Sequence, residues 1–199
     1  MESVETMTKK ELMKYISAFV MGDGGVYYSG SNCRFICNQI AKHADYINWR
    51  ADILRELTDV NIFENQQAGK QLILCTQTKT HPTYTKVRER VYIDKYKSVD
   101  PHYLTLLDWE MLAILYMDDG SIYKDTRCDA TPNVRLNTKR LSYGDSWLLK
   151  KAIKEKLDIE FNVNKHYHRY FLNLRTKDYD KFKSNIEDFI KPSFEYKLV

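Results

Sequence analysis

The stretch LMKYISAFVMGDGGVYYSG (residues 12–30) decides the fold, because WEMLAILYMDDGSIY (residues 109–123) repeats its pattern in the second half of the chain. Each is an apolar stretch of helical length that ends in Asp-Gly, followed at once by residues typical of a β-strand. Asp23 and Asp119 lie at the ends of the two apolar parts, and nearly half of the 199 residues separate these two aspartates. An internal repeat of this length predicts two similar halves.

Helix-boundary signals flank both apolar stretches. Residues 8–11 (TKKE) match a capping box, in which the Thr and Glu side chains satisfy free backbone amides, and residues 105–108 (TLLD) are a looser version. Gly24 and Gly120 suit the left-handed conformation that ends many helices. We therefore expect helices that start at equivalent positions and stop at the two Asp-Gly pairs.

The segments after each Asp-Gly also run in parallel. In the first half, strand-like segments are 25–30, 33–40, 60–66 and 70–78, and helix-like segments are 44–58 and 81–93. In the second half, the strand-like segments are 121–126, 133–139, 159–167 and 170–176, and the helix-like segments are 144–157 and 178–190. The sequence predicts an α+β fold of two pseudo-twofold-related αββαββα lobes, residues 1–98 and 99–199, with antiparallel sheets, joined through the two packed helices.

Composition bounds the function only loosely. The 31 Lys and Arg against 27 Asp and Glu give a mild basic excess, which is compatible with a nucleic-acid partner but does not establish one. The four cysteines form no paired CxxC units, which disfavours a zinc site and indicates reduced thiols. The N-terminus resembles no signal peptide, and no apolar run is long enough to cross a bilayer, so we expect a soluble intracellular protein. Phage, bacterial and organellar settings are not distinguished.

Asp23 and Asp119 are the candidate metal ligands. A carboxylate at the C-terminus of a helix faces the negative end of the helix dipole, and two such groups brought together by a pseudo-twofold repel each other. A hard divalent cation such as Mg²⁺ resolves both problems and can activate water for phosphodiester hydrolysis. Ala18, Gly22 and Ala113 are small enough to let the two helices approach closely. One Asp-Gly pair is most simply a helix stop, but two at matched positions favour the metal site.

The two stretches resemble the paired motifs of the LAGLIDADG homing endonucleases of the single-chain type, with ISAFVMGDG (residues 16–24) and LAILYMDDG (residues 112–120) at the motif positions. The resemblance extends over nearly the whole chain. It implies an endonuclease that makes a double-strand break in a long, asymmetric DNA target, with Mg²⁺ as cofactor and Mn²⁺ as a substitute, and that supports homing of its own mobile element. It also implies that Asp23 and Asp119 are catalytic.

The resemblance also nominates residues around the metals. The polar and basic candidates for catalysis are Gln39, Lys97, Lys139 and Lys197. Gly22 and Asp118, which precede the two aspartates, are further candidate metal-binding positions. Asp118 replaces a small residue of the motif, and Met21 and Met117 replace its earlier acidic residue. Asp118 is expected first as a solvated residue at the helix end.

Strand residues would contact the DNA. The candidates are Tyr28, Ser29, Arg34, Arg135, Asn137, Asn173 and Arg175. Arg and Asn read base edges in the major groove, where two-stranded ribbons fit. Because side chains alternate along a strand, Tyr28, Ser29, Arg34 and Gln39 are expected near one another. Double-stranded DNA is the expected partner of a monomeric chain.

A different class of function remains open. A non-cleaving protein on the same scaffold, such as an intron-splicing maturase or a DNA-binding regulator, would also carry the repeat, and RNA would be its partner only in the maturase case. Asp23 and Asp119 together with candidate lysine partners favour cleavage, since a binding protein has no need of both. The sequence does not separate intron-encoded, intein-derived and free-standing forms. An unrelated α+β domain would require the whole repeat to be chance.

Overall fold

The computed structural model describes residues 7–66, 69–124, 131–138 and 141–198. The first half contains α1 (Lys9–Met21), β1 (Gly25–Ser29), β2 (Asn32–Ile40), α2 (Ala44–Arg55), β3 (Val60–Asn65), β4 (Ile73–Thr78) and α3 (Pro82–Val91). A connection follows, made of β5 (Tyr92–Ile93), β6 (Tyr96–Lys97) and α4 (Pro101–Leu104). The second half contains α5 (Trp109–Asp119), β7 (Gly120–Tyr123), β8 (Asn133–Leu136), α6 (Tyr143–Leu157), β9 (Phe161–His166), β10 (Arg169–Leu174) and α7 (Tyr179–Ile186).

The two halves have the same sheet topology. One four-stranded sheet has the order β1-β2-β4-β3 and the other the order β7-β8-β10-β9. Every pairing within these two sheets is antiparallel. The α+β fold of two αββαββα lobes is therefore confirmed, while the division between residues 98 and 99 stays a prediction. The β5–β6 hairpin and α4 were not predicted, because residues 81–93 have the pattern of one continuous helix.

The start of the first motif helix is as predicted and that of the second is not. Thr8 Oγ1 accepts a hydrogen bond from the Glu11 N–H at 3.3 Å, and Glu11 Oε2 accepts one from the Thr8 N–H at 2.9 Å. The second helix is capped by Asp108, whose Oδ1 accepts from the Met111 N–H at 2.8 Å. Thr105 instead ends α4, the short helix that Pro101 begins.

Gly24 and Gly120 do not adopt the left-handed conformation that the sequence predicted. Among the described glycines only Gly30 and Gly69 have positive φ, and Gly120 is extended, with φ −80° and ψ 154°. The reason that these two positions require glycine is instead the lack of room for a side chain. A Cβ on Gly24 would lie 2.3 Å from the Phe35 ring, and one on Gly120 would lie 2.0 Å from the Tyr116 ring. The chain must turn into its first strand against an aromatic ring in both halves.

The helices α1 and α5 pack against each other at the centre of the protein. Ile16–Met21 of α1 and Met111–Met117 of α5 are buried on all sides, as expected of helices covered by both lobes. At their N-terminal ends, Lys14 Nζ lies 2.7 Å from a Glu110 carboxylate oxygen and 2.9 Å from one of Asp108. The paired helices therefore join the lobes from end to end, as predicted.

One face of each sheet is covered by helices and the other is open. In β2, Cys33, Phe35 and Cys37 are buried on the helix side, while the residues between them are more exposed. In β8, Val134 and Leu136 are buried and Arg135 is exposed. None of the described helices is long and apolar enough to cross a membrane.

Candidate active site

The C-terminal ends of α1 and α5 meet through the side chain of Asp118. A Cβ built on Gly22 would lie 2.2 Å from Asp118 Oδ2, so only glycine leaves room for this carboxylate. Asp118 Oδ2 accepts a hydrogen bond from the backbone N–H of Asp23 at 3.1 Å. The Asp118 side chain has 0% exposure, and the prediction that it is solvated is wrong. The carboxylate of one motif thus supports the backbone of the other at its candidate catalytic residue.

A buried polar chain continues from Asp118 into the first lobe. Gln39 Nε2 donates to Asp118 Oδ1 at 3.2 Å, and Gln39 Oε1 accepts from Arg50 Nη2 at 3.0 Å. Arg50 Nη1 lies 3.8 Å from Asp118 Oδ1, and the Arg50 side chain has 0% exposure. Its guanidinium lies 5.0 Å from the ring centroid of Tyr46 and 5.7 Å from that of Phe19. Gln39, a predicted site residue, is therefore held between a buried cation and a buried anion.

Sequence reasoning missed Arg50. The available signal was its spacing, because Tyr46, Arg50 and Leu54 repeat every fourth residue and so share one face of α2. A charged residue on an apolar helix face requires a buried partner. That partner is Asp118, which belongs to the other half of the chain, and only the packing of the lobes brings the two together.

Burial shapes the charges at this site. It raises the pKa of Asp118 to about 6, with the Arg50 cation opposing the shift and the Asp23 carboxylate adding to it. It lowers the pKa of Lys197 to about 8, against the favourable charges of Asp118, Asp23 and Asp119. Carboxylates of both motifs therefore act on one buried lysine, and the region around it is rich in negative charge.

The lysines predicted as a basic pair lie at the ends of the two motif helices. Lys97 Nζ donates to the carbonyls of Gly22 and Gly24 at 2.6 and 2.7 Å. Lys197 Nζ donates to those of Tyr116 and Met117 at 3.1 and 2.7 Å. Both side chains are buried, and each places a positive charge at the negative end of a helix dipole. Each half thus supplies a lysine to the end of its own motif helix.

A C-terminal segment carries Lys197 to this position. Residues Pro192–Lys197 form a 3-10 helix that packs on the first lobe, where the His43 and Phe194 rings stack with centroids 3.9 Å apart. Asp45 Oδ2 accepts from the Ser193 N–H at 3.0 Å. Lys197 is the last residue of this helix, which belongs to the second half and is anchored to the first lobe.

Asp23 and Asp119 line two different cavities. Asp23 lines a cleft of about 280 Å³ with Asn38, Gln39 and Lys197. Asp119 lines a cavity of about 190 Å³ with Asn137. Asn137 donates to the Asp119 carbonyl twice, from its backbone N–H at 2.9 Å and from Nδ2 at 2.8 Å. The two candidate catalytic aspartates have different surroundings.

The residues present fit a cation that takes most of its ligands from elsewhere. Over the described residues, no group of three or more His, Cys, Asp and Glu side chains could hold a metal ion alone. Mg²⁺ is commonly bound by one or two carboxylates together with water and substrate phosphates. The carboxylates at the two helix ends match that donor set. The Gly22 carbonyl, a predicted metal-binding position, accepts from Lys97 at 2.6 Å.

The open face of the first sheet carries polar side chains among apolar ones. Cross-strand pairing places Tyr27 opposite Arg34 and Ser29 opposite Asn32 on this face. Tyr28 pairs with buried Cys33 and therefore lies on the helix side, where the Arg88 guanidinium is 5.3 Å from its ring centroid. Gln39 is buried on that same side.

The predicted group of Tyr28, Ser29, Arg34 and Gln39 is therefore divided between the two faces. The reason is register, since a step of one residue along a strand changes the face. Tyr27 takes the place that Tyr28 was expected to fill.

The open face of the second sheet carries the predicted pair Arg135 and Asn173. They are cross-strand partners, and Arg135 Nε donates to Asn173 Oδ1 at 3.3 Å. Arg175 extends beyond β10 and forms an ion pair with Glu160. Among the strand residues that the structure describes, the open faces of both four-stranded sheets carry no Asp or Glu.

The model of the LAGLIDADG DNA endonuclease family matches residues 14–182, which include both motifs. The chain belongs to this family. It is of the single-chain type, with two LAGLIDADG motifs in one polypeptide. Over 193 residues it is 24% identical to the uncharacterized protein MJ1098 of Methanocaldococcus jannaschii, a match that covers 95% of this chain and 74% of that protein.

Two solved structures are similar to the LAGLIDADG fold seen here. The homing endonuclease I-WcaI, bound to its DNA recognition sequence, matches with a TM-score of 0.80 and 18% identity over 97% of this chain and 88% of that one. I-DmoI in complex with DNA and Mn matches with a TM-score of 0.56 and 18% identity over 89% and 96%. At these identities the likeness establishes the fold.

The structure thus brings most predicted residues of the two LAGLIDADG motifs together. Asp23, Gln39, Asp118 and Lys197 line one cleft, and Asp119 lies at the neighbouring helix end. Lys139 falls outside the described residues. The roles of all these residues stay predictions.

Proposed function

We propose that this chain is a site-specific endonuclease that hydrolyses both strands of a long, asymmetric DNA duplex with a divalent metal, Mg²⁺ in the cell and Mn²⁺ as a substitute. The observation that carries the proposal is the pair Asp23 and Asp119 at the ends of two packed helices, each with a buried lysine at the same helix end. One aspartate for each strand would give one cut on each.

The chain's own residues divide the work. Asp23 and Asp119 would hold the metal between protein and phosphate. The metal, when bound, would activate water and stabilise the leaving oxygen. Lys97 and Lys197 would limit the repulsion between the carboxylates and the DNA phosphates. Lys139 is proposed, from the sequence repeat, for the position of the second half that corresponds to Gln39. Gly22 and Asp118 bring the helix ends together.

The open sheet faces would bind the duplex. They offer Arg, Asn, Gln, Ser and Tyr side chains without carboxylates, which suits both phosphate contact and reading of base edges. Ser29, Arg34, Arg135, Asn137, Asn173 and Arg175 keep their proposed role, and Tyr28 keeps it only for a contact at the edge of the first sheet. Because the open faces of the two sheets carry different side chains, the two halves of the DNA target would differ in sequence.

The first experiment is selection of cleaved duplexes from a library, in Mg²⁺, Mn²⁺ or EDTA, with the ends sequenced. Asp23→Asn and Asp119→Asn are the inactive candidates, and Glu155→Gln, an exposed residue on α6, is the matched charge-neutralising control. Recurrent double-strand breaks at one site, dependent on metal and abolished in both Asp variants but not in the control, would support the proposal.

Binding without cleavage would contradict it. Retention of one duplex in Ca²⁺ with no breaks in Mg²⁺ would indicate a DNA-binding regulator, and preferential retention of intron RNA would indicate a maturase. A single chain with two sites should act as a monomer, so light scattering of the complex should give one 23.7 kDa chain for each duplex. Intracellular location and homing are part of the same proposal, and transfer of the gene to a target-bearing allele would test homing.

A further inference from the structure

The two motif ends differ at one pair of equivalent positions. Gly22 precedes Asp23, and Asp118 precedes Asp119. Asp118 reaches across the helix pair to accept from the Asp23 N–H, whereas Gly22 has no side chain with which to reach the end of α5. The support between the motifs therefore runs in one direction, from the second half to the first.

We propose that Arg50, Gln39 and Asp118 act as positioning residues for Asp23 and not for Asp119, so that cleavage of the strand served by Asp23 depends on them. This inference rests on the proposed endonuclease function. Arg50 fixes the Gln39 amide, since its Nη2 occupies Oε1 and leaves Nε2 to donate to Asp118. Asp118 then holds the Asp23 backbone through Oδ2.

The Asp119 side has a different construction. Its carbonyl accepts from the backbone and side chain of Asn137, a residue of its own lobe. The adjoining cavity of about 190 Å³ is lined by Asp119, Asn137 and Thr138 together with apolar side chains such as Leu115, Leu136 and Leu149. The hydrogen bonds described above for the Arg50 and Asp118 side chains go to Gln39 and Asp23, and not to Asn137 or the Asp119 carbonyl.

Metal-binding groups are sensitive to such supporting contacts. Removing the hydrogen-bond partner of a group near a metal typically reduces metal affinity or activity about 10- to 100-fold. A change in Arg50 or Asp118 should therefore slow one strand about 10- to 100-fold and leave the other at its normal rate. A purely structural role would slow both strands together, so the strand ratio separates the two.

The decisive experiment measures nicking of each strand on a duplex with different labels on its two strands. The variants are Asp118→Asn, which keeps the shape, and the double variant Arg50→Met with Asp118→Leu. Replacing a buried ion pair by apolar residues of similar volume is often neutral for stability or stabilising. Gln39 also loses both of its hydrogen-bond partners in the double variant, so circular dichroism and urea unfolding first establish that this variant is folded. Asn137→Ala, on the opposite side, should slow the other strand.

A second measurement does not depend on cleavage. Mn²⁺ broadens the NMR signals of nearby amides, so titration of the wild-type protein should broaden the Asp23 and Asp119 amides. One bound ion broadens both amides, because Asp23 contacts Asp118 and Asp118 adjoins Asp119, so the two sites are separated by substitution. In an Asp119→Asn background the Mn²⁺ concentration needed should rise about 10- to 100-fold in both support variants, whereas in an Asp23→Asn background it should not change.

The outcomes separate the two proposals. Selective loss at Asp23 in this titration supports the inference even if the wild-type protein cuts nothing, in which case the endonuclease proposal alone fails. Equal slowing of both strands, equal loss of Mn²⁺ in the Asp119→Asn and Asp23→Asn backgrounds, or unchanged behaviour of the folded double variant would overturn the inference. Lack of Mn²⁺ broadening in the wild-type protein would overturn it as well.

Discussion

Substitution of Gly22 by alanine tests the close approach of the motif helices. The new Cβ would lie 2.2 Å from Asp118 Oδ2 and 2.9 Å from Asp118 Cβ and Cγ, and all three atoms belong to a side chain with 0% exposure. Asp118 must therefore move, and its hydrogen bonds with Asp23 and Gln39 weaken. We expect Gly22→Ala to destabilise the protein because of the carboxylate it meets.

The magnitude follows from these contacts. Overpacking of a filled interface costs about 1–3 kcal/mol, and loss of a hydrogen bond to a buried charge costs about 1.5–3 kcal/mol. The free energy of unfolding should fall by roughly 2–4 kcal/mol, since Asp118 can retain one of its two bonds. In a background with Asp118→Gly and Arg50→Met, which removes all three atoms that the new Cβ meets and also the unpaired cation, the same substitution should cost less than about 0.5 kcal/mol.

The assay is urea unfolding followed by far-ultraviolet circular dichroism on four proteins: wild type, Gly22→Ala, the background and the combination. Any backbone cost of alanine at position 22 is common to both backgrounds and cancels in the cycle. Gly144→Ala in α6 is the matched control, because its Cβ meets nothing closer than 3.7 Å; it should stabilise by about 0.4–1 kcal/mol. An equal loss from Gly22→Ala in both backgrounds would refute the reasoning.

Three further predictions concern other parts of the molecule. Burial opposes ionisation of Asp145, but hydrogen bonds from Ser142, the Val99 N–H and Ser98 hold its pKa below the ordinary value. The ionised carboxylate therefore stabilises the fold above the unfolded-state pKa, and this stabilisation is lost as the pH falls through the folded-state pKa. Asp145→Asn should consequently reduce the loss of stability at acid pH, measured by unfolding from pH 7 to 2. Arg135→Ala should weaken DNA binding by about 1–3 kcal/mol in a fluorescence-anisotropy titration, and no loss would remove Arg135 from the interface. Phe194→Ala should destabilise by about 3–5 kcal/mol in thermal unfolding, because the ring is buried and stacks on His43; a loss below about 1 kcal/mol would show that the C-terminal segment is not anchored there.

The order of the main elements could be predicted because it rests on local signals. Apolar periods, Asp-Gly stops and alternating strands are each properties of a few neighbouring residues. The β5–β6 hairpin was not predicted because its strands have two residues each and follow α3 without a Gly or Pro to mark the boundary. Its turn uses Asp94 at φ 56°, a left-handed conformation that Asp tolerates, but an Asp in a sequence does not by itself predict this conformation.

Features of the site that depend on tertiary packing could not be predicted. The repeat located Asp23 and Asp119, and the family resemblance selected Lys97 and Lys197. The sequence carried no sign that Asp118 is buried, since an Asp at a helix end is normally solvated. Its burial depends on a glycine in the other half, and no pattern within one helix contains that information.

The Gly22 and Asp118 pair also shows what a single chain permits that a symmetric dimer does not. At a two-fold axis both positions would carry the same residue. Two aspartates would meet at the distance where even one Cβ collides, and two buried carboxylates would repel each other. Two glycines would leave the crossing empty on both sides. Different residues in the two halves allow the Asp118 carboxylate to fill the crossing from one side, because Gly22 on the other side has no side chain to collide with it. The asymmetry of the supports is therefore a direct consequence of joining two lobes in one polypeptide and letting their motifs diverge.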